Sequence, residues 1–222
     1  MIHSSNQFIL PESLNLNLIG IVGHARSGKD TVADFLAYAI GLESSIILPF
    51  AYPLKLSMSW AFGLPLHDDE TMTTEYKETK DPFWGVTPRE ILQFAGTEIF
   101  RDTLSALLPH IGNNFWIKRH YGALTGELDT ELELLSSGDT VIIPDVRFPN
   151  ELDYIRRNGG RFIHLTRPGA DGNIGIPGHT SEQVLSNRFT VADSVFHINN
   201  DSTLEVLHEK VNDFISLLPF PN

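Results

Sequence analysis

Cysteine is absent from this chain of 222 residues, which excludes disulfide bonds and thiolate metal sites. An excess of basic residues is absent as well: lysine and arginine total 16 against 28 aspartates and glutamates, giving a formal net charge of −12. A long nucleic-acid duplex is therefore not an expected partner, because binding a polyphosphate backbone requires a basic surface. A small phosphate ligand remains compatible with this charge, since it needs only a few cations gathered at one place.

The sequence also lacks segments that would direct it to a membrane. No apolar run reaches the roughly 18 residues that span a bilayer. The first residues, MIHSSNQFILPESLN, have neither the basic start nor the long apolar stretch of a secretory signal. We therefore expect a cytoplasmic protein with no membrane partner. Its length and its hydrophobic fraction of 41% fit one globular domain.

Apolar strands and amphipathic helices alternate along the chain. The run LNLIGIVG at 16–23 predicts a buried parallel strand, and SIILPF at 45–50 predicts a second strand after a helix that ends near Gly41. Further strands and helices are predicted at 139–147, 150–159, 161–167 and 195–198. A capping box at Ser202 and Glu205 predicts a last helix, with an apolar face made of Leu204, Leu207, Val211, Phe214 and Leu218.

This alternation favours an α/β fold, in which a central parallel sheet is covered by helices on both faces. The sheet core is predicted at about 16–52 and 139–222 of a single domain. A mostly helical insertion is predicted at about 53–137, where Thr87 and Glu90 form another capping box around a proline.

The stretch GHARSGKDT, from Gly23 to Thr31, has the form of a phosphate-binding loop except at one position. Two glycines let successive N–H groups point at a phosphate, the following helix N-terminus adds partial positive charge, and Lys29 supplies a mobile cation. The usual pattern places a serine or threonine directly after the lysine, where its hydroxyl reaches Mg²⁺. Here Asp30 occupies that place, and the hydroxyl of Thr31 comes one residue late. The position of the loop between a strand and a helix favours phosphate binding over a structural turn.

Residues near the end of the third predicted strand form a second candidate group. Asp145 lies at the carboxyl end of that strand, where ligands of open α/β sheets bind, and its carboxylate is a ligand type that Mg²⁺ prefers. Arg147 is expected near the same rim, where a guanidinium can bind a phosphate through two hydrogen bonds. The alternative is a surface ion pair between these two residues.

Four other residues each have two interpretations. Lys55 either faces the phosphate of an acceptor or is a solvated surface charge. By residue type alone, Arg101 is more often solvated and Trp116 more often part of a core. His179 lacks partners at metal-ligand spacing, so a hydrogen bond within its loop is favoured over a metal site.

Eight segments, in chain order, resemble the bacteriophage deoxynucleoside monophosphate kinase family: GHARSGKDTVADFL, FAYPLK, AGTEIFR, NNFWIK, VIIPDVRFPNELD, IHLTRPG, GHTSE and INNDSTLEVL. The resemblance extends from about 18 to 216, and the Gly-Lys-Asp-Thr ending of the loop is itself a feature of that family. It implies a P-loop fold of the nucleoside monophosphate kinase type and transfer of phosphate from ATP, with Mg²⁺, to a deoxynucleoside 5′-monophosphate. It also implies a homodimer and, for a phage-encoded protein, the host cytoplasm.

The resemblance assigns site residues at matching positions. It places around ATP the residues Gly23, Ala25, Arg26, Ser27, Gly28, Lys29, Asp30, Thr31 and Asn200. It places in or near the acceptor and transfer site the residues Lys55, Arg101, Trp116, Asp145, Arg147 and Glu151. Arg167 is implied to belong to a closing lid at about 167–182, and Asn200 to a loop that lies against the adenine.

The expected roles follow from the chemistry of phosphoryl transfer, which requires in-line phosphates and cations where charge spreads. Lys29 serves the donor, Arg147 with Lys55 the acceptor, and Arg26 or Arg167 the transferred group. Asp30 and Asp145 are expected to hold Mg²⁺ from two sides, with Thr31 at the α-phosphate. The alternative for Asp30 is a side chain turned away to pair with a cation.

Two other functions fit parts of the pattern. One is another small-molecule P-loop kinase, of the dephospho-coenzyme A or phosphomevalonate type. The other is a GTP-dependent switch or nucleotide-sensing module, but the guanine-reading Asn-Lys-x-Asp string is missing, since Asn199-Asn200-Asp201 has no lysine and a different spacing.

Overall fold

A computed structural model of the chain describes residues 14–68, 70–128, 135–170 and 195–218. The described residues divide into two compact units. The core unit contains 14–49 together with the described residues after 134, and the helical unit contains the described residues from 50 to 128. That these units act as the core and insertion of one kinase domain stays a prediction.

A five-stranded parallel sheet forms the centre of the core unit. Its strands are β1 (Asn17–Val22), β2 (Ser45–Ile47), β3 (Thr140–Ile143), β4 (Arg161–Thr166) and β5 (Val195–Asn199). They follow the order β2-β3-β1-β4-β5, and every neighbouring pair is parallel. Strand β1 is therefore central, and the carboxyl ends of all five strands lie at one edge of the sheet.

Two of the strands end earlier than the sequence predicts, and proline explains both ends. The N–H of Leu48 still donates to Ile142 O at 2.9 Å, and the next donor from β3 to β2 would be residue 144, which is a proline without an N–H. Pro144 therefore ends both β3 and its pairing with β2. A residue without an N–H cannot donate to a neighbouring strand, so a proline stops a central strand.

The helices are, in chain order, α1 (Lys29–Ile40), α2 (Tyr52–Phe62), α3 (Thr74–Glu78), α4 (Pro88–Phe94), a π-helix (Ala95–Thr103), α5 (Leu104–Leu107), a 3₁₀ turn (Gly112–Asn114), α6 (Phe115–Leu124), α7 (Pro149–Arg157) and α8 (Leu204–Ser216). Two predicted helix ends are confirmed. Thr87 and Glu90 form both hydrogen bonds of the capping box at the start of α4, and Gly41 ends α1 with its N–H on Ala37 O. Among the described residues, no helix has the length and apolarity to cross a membrane.

The apolar core lies between one face of the sheet and helices α1 and α8. It is formed by buried side chains that include Ile21, Leu36, Ile163, Ile198, Val211 and Phe214. On the opposite face, α7 approaches β1 so closely that a Cβ at Gly20 would lie 2.9 Å from Ile155 Cδ1. Both faces of the sheet are thus covered, as the sequence predicts.

The predicted start of the last helix is wrong by one residue. Thr203, rather than Ser202, is the N-cap of α8, and its hydroxyl accepts from the N–H of Val206. Leu204 becomes the first helical residue and is 57% exposed, whereas Leu207 of the predicted apolar face is buried. Serine ranks somewhat above threonine as an N-cap, so the intrinsic preference of the two residues does not explain the observed start.

Candidate active site

Four of the segments that the sequence predicts to be functional lie at the carboxyl edge of the sheet. The glycine-rich loop leaves β1, and Asp145 follows β3 on one side of it. Arg167 follows β4 on the other side, and Asn200 follows β5 next to that. This edge is where ligands of open α/β sheets bind, so the strand order alone places these segments at one candidate site.

The loop after β1 has a backbone suited to an anion. The N–H of Ser27 donates to His24 O at 3.2 Å, and both Arg26 (φ 64°) and Gly28 (φ 99°) have left-handed backbones. Successive N–H groups in such a turn form a concave anion-binding surface. Gly28 is also the N-cap of α1 and supplies no side-chain cap, so the first N–H groups of the helix are available to a ligand.

The left-handed backbone of Arg26 is unusual for a residue with a side chain. Among the described residues, Arg26 is the only one other than glycine with a positive φ. Such a conformation costs on the order of 1–3 kcal/mol and is found mainly where function requires the backbone shape. Its side chain is exposed.

Lys29 is held against the first residues of the loop. Its Nζ donates to Gly23 O at 2.9 Å and to His24 O at 2.7 Å. The side chain therefore folds back from the first residue of α1 to the end of β1, and the ammonium charge lies beside the backbone of the loop. Asp30, in the first turn of α1, is exposed, and Thr31 is half-buried.

Two buried polar atoms in this loop point to a ligand. Within the described part of the chain, Ser27 Oγ and His24 Nδ1 are buried without a hydrogen-bond partner. Buried polar groups in folded proteins nearly always have a hydrogen-bond partner, so such atoms in a loop whose backbone suits an anion indicate a bound molecule or water. Their position between Gly23 and Gly28 agrees with a phosphate group as that molecule.

Glu151 fixes the segment between β3 and α7. The side chain is only 2% exposed, and its Oε2 accepts from the N–H of Arg147 at 2.8 Å and of Phe148 at 3.0 Å. The carboxylate thus holds the backbone from which the Arg147 side chain projects, and Asp145, half-buried, lies two residues before it. The structure gives Glu151 these backbone partners; its predicted direct contact with a monophosphate stays a prediction.

Replacing Glu151 with alanine is expected to destabilise the protein by about 2–3 kcal/mol, because two N–H groups lose a charged acceptor in a buried place. Replacing it with glutamine retains an acceptor oxygen at the same distance and should cost less than half as much. Urea unfolding of both variants measures the difference. Equal stability of the alanine variant and the wild type would contradict the role assigned to this carboxylate.

Three of the residues predicted for the acceptor side, Lys55, Arg101 and Trp116, lie in the helical unit. Lys55 is in the first turn of α2 and is half-buried. Arg101 lies in the π-helix, is 6% exposed, and donates from Nη1 to Asn113 O at 3.4 Å, so it is not the solvated surface arginine that its type alone suggests. π-helical turns are rare and are frequently found at functional sites.

Trp116 occupies a core position of the helical unit. It is 7% exposed, its Nε1 donates to Gly96 O at 2.9 Å, and its ring packs against those of Phe100 and Phe115. The hydrogen bond ties α6 to the π-helix that carries Arg101. This placement favours a supporting role for the indole.

Arg167 is exposed at the end of β4, where its carbonyl accepts from the N–H of Ala170 at 3.1 Å. Gly169 has a left-handed backbone within this turn. The rest of the predicted lid, 171–182, and His179 lie outside the described residues.

A pair of histidines near the loop is not among the residues that the sequence predicts to be functional. His164 of β4 and His197 of β5 are in register on neighbouring parallel strands, with their Nδ1 atoms 3.2 Å apart. Burial lowers the pKa of His164, and nearby His197 and His24 lower it further. The only available signal was a histidine inside each of two predicted strands, and the pairing depends on the register, which the sequence does not reveal.

This lowered pKa predicts an acid-sensitive contribution to stability. In the unfolded state His164 takes up a proton at a pKa of about 6.5, whereas in the folded state it does so only at lower pH. The free energy of unfolding therefore falls as the pH drops below about 6.5, and it stops falling below the pKa of the folded state. Replacing His164 with asparagine should remove this part of the loss. Urea unfolding at about pH 7.5 and pH 5 compares the two proteins, and an equal loss in both would contradict the assignment.

The arrangement at the sheet edge belongs to a known class. P-loop kinases place a glycine-rich loop and its lysine after the central strand of a parallel sheet, and a helix begins at that lysine. Strand β1 and helix α1 have this relation.

Comparison with known proteins identifies the family. The family model for deoxynucleotide monophosphate kinase matches residues 69–211. A putative deoxynucleotide monophosphate kinase of Acanthamoeba polyphaga mimivirus is 39% identical over 156 residues, covering 68% of this chain and 75% of that protein. The deoxynucleotide monophosphate kinase of Enterobacteria phage T4 is 27% identical and aligns with 91% of this chain and all of its own length. The chain belongs to the deoxynucleotide monophosphate kinase family, and the resemblance seen in the sequence is confirmed.

The solved structures that the chain matches are more distant in sequence. A sugar kinase from Janibacter is 14% identical, covers 92% of this chain and 96% of its own, and has a TM-score of 0.42. A gluconokinase from Sinorhizobium meliloti is 13% identical, covers 92% and 99%, and has a TM-score of 0.40.

Proposed function

We propose that the protein transfers the γ-phosphoryl group of ATP to a deoxynucleoside 5′-monophosphate, giving ADP and a deoxynucleoside diphosphate for DNA precursor synthesis. One observation carries this proposal: the loop from Gly23 to Lys29 has the backbone, the held ammonium and the buried polar atoms of a phosphate site, in a chain of this family. The nucleotides are small-molecule substrates, in keeping with the net charge of −12.

The donor phosphates are bound by the core unit in this proposal. The loop N–H groups and Lys29 stabilise the charge that spreads over the β- and γ-phosphate oxygens during transfer. Arg26 and Arg167, both exposed at the sheet edge, are proposed to bind the transferred group. Arg147 binds the acceptor phosphate, and Glu151 positions it through the backbone.

The acceptor is bound with the help of the helical unit. Lys55 is proposed to meet the acceptor phosphate, and Arg101 to contribute a positive charge that is already desolvated by burial. A desolvated charge acts more strongly on a bound anion than one in water does. Trp116 supports Arg101 by holding the π-helix through Gly96.

A magnesium ion is proposed to bind at the sheet edge together with the nucleotide. No group of three or more metal-ligating side chains is present among the described residues, but Mg²⁺ bound with a nucleotide needs only one or two carboxylates besides the phosphates and water. Asp30, in the first turn of α1, and Asp145, after β3, supply that donor type. When bound, the ion neutralises charge on the donor phosphates.

The discriminating experiment measures ADP release from ATP with and without each deoxynucleoside monophosphate. The proposal expects release only when a deoxynucleoside monophosphate is present. Release that requires dephospho-coenzyme A or phosphomevalonate instead would identify another small-molecule kinase. Release or tight retention of nucleotide without any acceptor would identify a switch or sensor. We also propose the homodimer that the family resemblance implies, and sedimentation of the same preparation tests it.

A further inference from the structure

The connection between β5 and α8, residues 200–203, is hydrogen-bonded to the phosphate loop, which runs from Gly23 to Lys29. The N–H of Asn200 donates to Thr166 O at 2.7 Å, which extends the sheet pairing by one residue. The side-chain Nδ2 of Asn200 donates to Ser27 O at 2.9 Å, across 173 residues of sequence. The amide therefore joins the end of the sheet to the middle of the loop.

The contact is direct and close. A Cβ built on Gly28 would lie only 2.8 Å from Asn200 Nδ2, so the amide packs on the loop backbone with no space for a water molecule between them. The peptide linking Ser27 to Gly28 is planar and trans, so its C=O and N–H point in opposite directions. Holding the Ser27 carbonyl toward Asn200 consequently turns the Gly28 N–H away from it, toward the opposite side of the loop.

Lys210 of α8 holds this connection in turn. Its Nζ donates to Asn199 O at 2.6 Å and to Asp201 Oδ1 at 3.2 Å. The side chain of Asn199 donates to the other carboxylate oxygen of Asp201 at 2.7 Å. Asn199 and Asp201, on either side of Asn200, are thus held by the Lys210 ammonium group and by the hydrogen bond between their own side chains.

We propose that Asn200 is a positioning residue for the phosphate loop, and that Lys210 anchors it. In this role Asn200 acts on the phosphates of the nucleotide through Ser27 and Gly28, rather than on the adenine. The proposal rests on the proposed binding of ATP at this loop. It assigns to the β5–α8 connection a function that the resemblance does not give it.

Inorganic tripolyphosphate separates the two roles, because it has the phosphates of ATP but no base. The experiment compares the KM for ATP, kcat and the inhibition constant for tripolyphosphate in the Asn200→Ala and Lys210→Met variants. We expect both the KM and the inhibition constant to rise by the same factor, about threefold to tenfold, from the loss of one or two hydrogen bonds. The KM for the monophosphate should stay within about twofold, as a test of specificity.

Two further variants control for general effects on the fold. Lys210→Arg retains the cation and should restore most of the affinity for tripolyphosphate. Glu209→Gln changes an exposed charge next to Lys210 on α8 and should change neither constant. Melting temperatures show whether each variant is folded, and the surface position of Lys210 keeps the test usable even where Asn200→Ala does not fold.

Different results would contradict the positioning role and the proposed function. A rise in the KM for ATP with unchanged inhibition by tripolyphosphate would overturn the positioning role and assign Asn200 to the adenine. Unchanged constants in both variants would also overturn it. A wild-type protein that neither turns over ATP nor binds tripolyphosphate would refute the proposed function itself.

Discussion

Replacing Lys29 with alanine is expected to lower the rate of phosphoryl transfer by about 10²–10³-fold or more, the usual cost of removing a preorganised group that stabilises transition-state charge. Lys29 Nζ is held by the carbonyls of Gly23 and His24, beside the loop that is proposed to bind the donor phosphates. Alanine removes the ammonium together with its two hydrogen bonds to the loop carbonyls. The measurement is kcat for ADP formation at saturating ATP and monophosphate.

The matched control for this change is Arg157→Ala. Arg157 is an exposed cation at the end of α7, and α7 returns the chain to the amino ends of the strands, away from the loop. Its loss should leave kcat within about twofold, since exposed charges contribute little to stability or structure. Lys29→Arg keeps the charge on a longer, planar group and should recover only part of the rate. Near wild-type turnover in Lys29→Ala would refute the assignment of the donor site.

The second large effect is expected from Gly28→Ala, and Gly41→Ala is its natural control. Both glycines flank α1 and have positive φ values, with φ 99° and ψ 25° at Gly28 and φ 110° and ψ 127° at Gly41. An alanine at Gly28 costs on the order of 1–3 kcal/mol, and at Gly41, whose backbone lies outside the left-handed helical region, it costs at least as much. At Gly41 the new Cβ meets nothing within 4 Å, whereas at Gly28 it lies 2.8 Å from Asn200 Nδ2.

Both variants should therefore lose stability from backbone strain, Gly41→Ala at least as much as Gly28→Ala, but only Gly28→Ala should lose nucleotide affinity. We expect its KM for ATP to rise by about tenfold or more, because the loop has to shift away from Asn200. The KM of Gly41→Ala should match that of the wild type. Urea unfolding and steady-state kinetics measure the two effects separately. Equal KM values in both variants would show that the contact with Asn200 is not needed for nucleotide binding.

Local patterns in the sequence predict much of the fold correctly because their causes are local. The apolar run before Gly23 becomes the central strand, since a strand buried on both faces needs a continuous apolar sequence. The capping box at Thr87 forms because all its partners lie within four residues. The one at Ser202 does not form, because the neighbouring Thr203 takes the N-cap position instead.

The candidate site likewise has features that local sequence predicts and features that depend on distant contacts. Its residue types follow from the sequence: a lysine after a glycine-rich loop, a carboxylate after a strand, and an Asp-Thr ending that resembles one family. The contacts that give those residues their roles do not follow from it. Glu151 as the acceptor for two backbone N–H groups, Trp116 as a support for the π-helix, and the facing histidines of β4 and β5 all depend on positions in space.

The α/β class, the family and the glycine-rich loop can thus be recognised from the residues alone, because each is encoded in a contiguous pattern. Which groups hold that loop in shape follows only from the fold. Ser27 and Asn200 are 173 residues apart and meet because β1, β4 and β5 are neighbours in the sheet. Strand order is set by packing the whole chain at once, and no local pattern contains it.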